Sequence, residues 1–191
     1  IYPEGGNASY RVFVPGATEM GRAAPGLRFK QADQTFLAIE ASNSSFPHRE
    51  LDFGHIIWSA YGVRYLSDWG YGKIVDKADP YSQSKNLDFL PSGHNTLYVP
   101  EQLAVDSAGK RIAGTDMSQI WKVPGTIEKK SIGGYTVSHL DGSAPYGASD
   151  PNGLVKYFDR WITHVGDGHF LVVDSVKMKS GVTSQFQESF Y

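Results

Sequence analysis

No cysteine occurs in this chain, which removes disulfide staples, thiolate metal sites and cysteine nucleophiles from consideration. The same absence suits an exported or a cytosolic protein equally. No apolar run approaches the ~20 residues that a membrane-spanning helix needs, and no signal-peptide pattern opens the sequence. An excess of one charge is missing as well: 18 Lys and Arg against 20 Asp and Glu leave a net charge of −2. Nothing therefore draws the chain to nucleic acid or to an acidic membrane. A local basic cluster can still meet a polyanion. Helical periodicity with proper start and stop signals is also lacking.

What is present suits strands and turns. The chain has 21 Gly, 10 Pro and 13% aromatic residues, a mixture typical of many short strands. Aromatic and β-branched runs, punctuated by Gly, Pro, Asn and Asp, predict strands at 8–14, 27–31, 35–41, 55–61 and 63–68. The second half predicts them at 95–99, 119–123, 126–131, 135–140, 154–165, 169–177 and 182–190. Gly166-Asp167-Gly168 reads as a hairpin link, and Tyr61-Gly62 as the bend of another pair. So many strands pack most naturally as an all-β, antiparallel two-sheet β-sandwich. A length of 191 residues suits a single domain spanning 1–191. The chain opens at Ile1 rather than Met, so the expectation is a fragment of a larger protein.

One dense block stands out: Phe46-Pro-His-Arg-Glu-Leu-Asp-Phe-Gly-His55, followed by an apolar run and then Asp68-Trp-Gly-Tyr-Gly72. If the stretch from Pro47 to Asp52 is extended, His48, Glu50 and Asp52 alternate onto one face. Asp68 ends the next run beside Gly70 and Gly72. His94 follows a Pro-Ser-Gly turn and opens another strand. A mixed imidazole and carboxylate shell suits Zn²⁺ or a similar ion. Each residue also has a plainer reading. His94 can be a hydrogen-bonded structural histidine, Asp68 a turn cap, Glu50 an exposed charge and His48 an ordinary loop residue. His55, His139, His164 and His169 read as cross-strand residues. Trp58, Trp69, Trp121 and Trp161 read as core rather than sugar platforms, with Trp69 the exception to watch. Lys73, Lys77 and Lys85 can face a polyanion or simply solvent. Glu50 and Asp52, about 7 Å apart on one strand face, also leave room for a hydrolase with paired carboxylates.

These blocks resemble the heparinase II/III-like polysaccharide lyases, in the β-sandwich portion that follows their helical toroid. That family carries a His-x-His-x-Asp-x-Gly segment, an apolar strand, a Leu-x-x-Asp-x-Gly-x-Tyr-like turn and a later His-Asn. The corresponding residues here are His48, Glu50, Asp52 and Gly54, then Leu66, Asp68, Gly70 and Gly72, then His94 and Asn95. Tyr2 to Gly6 with Arg11 is similar to the family's entry into this domain, and Arg160-Trp161 with Phe170 to Asp174 to its late strand pair. The likeness touches most of the chain, but only the central blocks are specific.

By this resemblance, Glu50, Asp68 and His94 hold a divalent metal, zinc in most relatives. Glu50 departs from the pattern, which has a histidine at that position. Two carboxylates and one imidazole lean toward harder ions such as Mn²⁺ or Ca²⁺. Alternatively His48 takes over as ligand, or the metal has been lost. Asp52 then orients a ligand or shapes the turn. His55 stands where the pattern has a small residue, and on a continuous strand it faces away from Glu50. The resemblance further implies β-elimination on an acidic, uronate-containing polysaccharide, with a base taking the C5 proton and an acid protonating the departing oxygen. Most of those groups belong to an upstream helical toroid of the same protein, so the isolated chain is expected to be inactive. His48 is the candidate catalytic contribution of this part. A periplasmic or secreted location is implied likewise. A non-catalytic carbohydrate-binding or scaffolding sandwich with a decayed metal site is the rival expectation.

Overall fold

The computed structural model describes residues 9–13, 36–41, 50–60, 63–68, 90–100, 118–120, 123–166 and 169–190. Among them are ten strands and one 3-10 turn, and every strand pairing is antiparallel. The fold is all-β. None of the described residues belongs to a helix long and apolar enough to cross a membrane.

The first sheet runs in sequence order: β1 (Ser9–Phe13), β2 (Phe36–Glu40), β3 (Ile56–Ala60) and β4 (Val63–Leu66). Alternation appears directly in β2, where Leu37 and Ile39 are buried and Ala38 and Glu40 are half-buried, the pattern of a strand with one inward face. β3 and β4 are neighbours on either side of Tyr61-Gly62, with a bulge between Trp58 and Ser59. A small second sheet joins β5 (Leu97–Tyr98) to β10 (Gln187–Glu188).

The other four-stranded sheet is also a meander: β6 (Thr126–Ile132), β7 (Tyr135–Asp141), β8 (Val155–Gly166) and β9 (His169–Met178). Gly133 and Gly134 join β6 to β7 with φ of +57° and +85°. A two-residue turn of that hand demands positive φ at both positions, which glycine supplies without a Cβ penalty. β8 and β9 pair through to Gly166 opposite His169, the hairpin that the Gly-Asp-Gly link predicts. Along β8, Phe158, Arg160 and Ile162 point inward.

One cluster of buried apolar side chains draws on both four-stranded sheets. Leu37, Ile39 and Ile56 meet Leu97, Leu140, Phe158 and Ile162 in it. Phe53 joins from the loop before β3 and packs edge-on against Phe158, with ring centroids 6.5 Å apart. Gly142 makes this contact possible, because a Cβ there would lie 2.6 Å from both rings. Gly142→Ala is therefore expected to cost about 1–3 kcal/mol through overpacking, read as a lower urea midpoint. An unchanged midpoint would show that the rings can move aside.

Three predicted strands shrink or vanish. Only Leu97–Tyr98 of the 95–99 run and Gln187–Glu188 of the 182–190 run are strand. The described residues of the 119–123 run are not strand at all. Here a side chain substitutes for a ladder: Gln119 Oε1 accepts from the Phe53 N–H at 2.9 Å, and Gln119 Nε2 donates to the Phe53 carbonyl at 3.1 Å. Ser118 Oγ does the same for the N–H and carbonyl of Val99. The backbone groups of Phe53 and Val99 are thus satisfied without a neighbouring strand. The 27–31 run lies outside the described residues.

Candidate metal centre

Three short segments converge, and each is positioned by its own local chemistry. The first is a turn. His55 N–H donates to the Asp52 carbonyl at 2.8 Å, with Gly54 at φ +83° in the third position, where a type II turn needs glycine. This turn delivers His55 to the start of β3. The second is the end of β4, which runs back along β3 and leaves Asp68 beside that start. The third is the 3-10 turn Pro91–Gly93, closed by the His94 N–H donating to the Pro91 carbonyl at 3.1 Å. It sets His94 and Asn95 across the ends of the other two.

Asn95 is the joint between them. Its N–H donates to His55 Nδ1 at 2.9 Å, and its side-chain amide donates to the carbonyls of Ile56 and Ser67, each at 2.9 Å. These are the chain neighbours of His55 and Asp68. Asn95 is fully buried, and its bonds to His55 and Ile56 form away from water, where leaving a partner unpaired is costly.

Asp68 Oδ2 lies 3.3 Å from His55 Nε2 and 3.4 Å from His94 Nδ1. The two imidazole rings stand 5.2 Å apart at 74°. His55 and His94 are buried to 4% and 1% exposure, while Asp68 keeps 26%. The ligand atoms of all three lie within 4.8 Å of one another, a grouping able to hold a metal ion. His55 Nε2 and both ring nitrogens of His94 are buried and make no hydrogen bond among the described residues. Buried polar atoms that make no hydrogen bond call for an explanation. The two distances to Asp68 offer one, since two ligands on a tetrahedral ion with bonds of about 2.0–2.1 Å sit about 3.4 Å from each other.

Carboxylates surround this group. Glu50 Oε2 lies 3.9 Å from His94 Nε2, on the far side of the ring from Asp68. Burial, followed by the neighbouring Glu40 and Glu50, pushes the Asp52 carboxyl well above its usual range, with Asp68 adding to the effect. The excess of negative charge favours a cation nearby. The residues fit a divalent ion.

Glu50, Asp68 and His94 do come into one neighbourhood, but the compact trio has His55 where the resemblance places Glu50. A single strand parity running from His48 through to His55 turns His55 away from Glu50, the orientation of a cross-strand residue. The turn at Asp52 to His55 resets that parity. Within its described part the alternation is real, since buried Leu51 lies between half-buried Glu50 and Asp52. The Asp-Phe-Gly-His spelling of a turn was the available signal. His48, Trp69, Trp121, Lys73, Lys77 and Lys85 lie outside the described residues. His139 is a cross-strand residue, stacked on its partner Trp161 with centroids 4.8 Å apart.

The His55 environment has a pH consequence. Burial first, then the nearby His94, lowers its pKa from 6.5 to about 4. The unfolded chain thus takes up this proton at higher pH than the folded one. In metal-free protein the stability linked to His55 is full above about pH 6.5 and drains away toward about pH 4, by about 3 kcal/mol in total. The difference in urea stability between wild type and His55→Gln is expected to fall by that amount across the window. Asp52 titrates with the opposite sign, but it is present in both proteins and cancels in the difference. A pH-independent difference would contradict the assignment.

A scan of protein-family models found no match to this chain, and a search of curated proteins found none either.

Proposed function

We propose that this chain is a β-structured domain that holds one divalent ion between the turn before β3, the end of β4 and the segment before β5. His55, Asp68 and His94 are the protein ligands. The observation that carries this reading is the convergence of two buried, unbonded imidazole nitrogens on one oxygen of Asp68. Two nitrogens and one oxygen favour zinc over Mn²⁺ or Ca²⁺, which prefer all-oxygen shells. Glu50 stands on the Nε2 side of His94 at 3.9 Å, too far for a hydrogen bond but near enough to favour a proton on Nε2 and leave Nδ1 for the ion. The ion's task is structural. It ties together three segments that are far apart in sequence.

The wider setting we propose is the β-domain of a polysaccharide lyase acting on an acidic, uronate-containing polymer by β-elimination. Support comes from the residue blocks around His48, Asp68 and His94 and from the all-β fold. His48 is the proposed contribution to the cleft, and the remaining acid–base groups belong to an upstream helical domain. The test incubates the chain, alone and joined to its upstream sequence, with heparan sulfate or alginate and follows the absorbance of unsaturated uronate. The expected result is no signal from the chain alone and a signal from the longer protein. Reducing ends released without that absorbance would indicate hydrolysis and overturn the lyase reading.

One observation favours a second reading, a non-catalytic carbohydrate-binding or scaffolding domain whose metal site has decayed. Because the Asn95 N–H donates to His55 Nδ1, neutral His55 carries its proton on Nε2, the atom facing Asp68. Coordination there must displace that proton or break the Asn95 bond. A decayed site would keep the Asn95 bond and bind no metal.

A further inference from the structure

We infer that Arg160, which lies on β8 in the other four-stranded sheet, is the positioning residue that sets the spacing of His55 and His94. This inference rests on the metal reading proposed above. Arg160 is wholly buried, and a guanidinium has five N–H donors in a fixed fork. All five are used. Nε and Nη2 donate to the two oxygens of Asp174 at 2.8 and 2.7 Å, and Nη2 donates also to Glu188. Nη1 turns the other way and donates to the carbonyls of Gly54 at 2.6 Å and Asn95 at 3.2 Å.

Those two carbonyls are not arbitrary. Gly54 is the residue immediately before His55, and Asn95 is the residue immediately after His94. One planar group therefore fixes the distance between the backbones that carry the two imidazoles. Asn95 passes the constraint on, because its own N–H holds His55 Nδ1 and its side chain holds Ser67, next to Asp68. Gly54 itself has no room for a side chain, since a Cβ there would lie 2.9 Å from Thr96 Oγ1. Asp174, directly opposite Arg160 on β9, and Glu188 on β10 aim the fork.

A buried ion pair is a poor source of net stability compared with apolar packing. What the fork supplies that an apolar side chain cannot is directional: two carbonyls held at a set separation. Lysine keeps the charge but lacks the planar fork, so it cannot satisfy Asp174 and both carbonyls together.

The test compares Zn²⁺ affinity, by competition with a chromophoric chelator well below the unfolding temperature, in wild type, Arg160→Lys and Glu188→Gln. Arg160→Lys is expected to bind Zn²⁺ about 10–100-fold more weakly, the usual effect of losing a partner that orients ligands. Its Co²⁺ absorption spectrum should change while its far-UV circular dichroism does not. Glu188→Gln weakens the same ion network but leaves both Nη1 bonds, so its stability should drop and its Zn²⁺ affinity should not. Wild-type affinity in Arg160→Lys overturns the inference alone, as does an equal loss in both variants. Wild-type protein that takes up no Zn²⁺ overturns the metal reading and this inference together. Where Arg160→Lys fails to fold, nuclear magnetic resonance of wild type decides. Adding Zn²⁺ to chelator-stripped protein should slow exchange of the Arg160 guanidinium protons, and unchanged exchange overturns the inference.

Discussion

Purified protein is expected to carry close to one equivalent of zinc, and stripping it with a chelator is expected to lower the melting temperature by about 10 °C. The size follows from linkage. An ion present at about a thousand times its dissociation constant stabilises the folded state by about 4 kcal/mol. In a domain of this size each kcal/mol shifts the midpoint by about 2–4 °C. The direction follows from the site: His55, Asp68 and His94 belong to three segments that an ion ties together only in the folded chain. Asp68→Asn and His94→Ala should each abolish both the bound zinc and the chelator-induced shift. Elemental analysis and paired melting curves check this. A melting temperature indifferent to chelator would favour the decayed-site reading.

The second large effect concerns Arg160. Replacing it by methionine is expected to destabilise the fold by about 3–5 kcal/mol, because it strands charges inside the protein. Asp174 and Glu188 lose their counter-charge, and the carbonyls of Gly54 and Asn95 lose a donor. Asp174→Asn in the same background should recover part of the loss by removing one stranded carboxylate. Urea denaturation of the single and double variants measures both quantities. A methionine variant as stable as wild type would mean that water or another donor replaces the guanidinium. The guanidinium would then not be what links β8 to the segments carrying His55 and His94.

Local patterns in the sequence carried the strands well. The apolar and β-branched runs that became β2, β3 and β6 to β9 end at Gly, Pro or a polar turn, and β2, β8 and β9 alternate along much of their length. Such signals need no knowledge of distant residues. Strand 119–123 failed for a reason outside its own sequence. Gln119 and Ser118 spend their side chains on Phe53 and Val99, and no local pattern reveals partners 66 and 19 residues away.

The candidate site divides in the same way. Asp68 and His94 were legible because each stands at a strand end beside turn residues. His55 was not, since a single glycine turn at Gly54 reverses the strand parity on which its orientation was judged. The part played by Asn95 was equally hidden: its amide reaches Ile56 and Ser67, 39 and 28 residues back along the chain. In the sequence Arg160 stands out only as part of a strand pair, and its burial against Gly54 and Asn95 reveals what it holds.

Crystals of the protein grown with zinc, measured on both sides of the zinc absorption edge, give the most direct test. One anomalous peak is expected within bonding distance of His55 Nε2, Asp68 Oδ2 and His94 Nδ1. No peak there, with a hydrogen bond formed between His55 Nε2 and Asp68 instead, would contradict it.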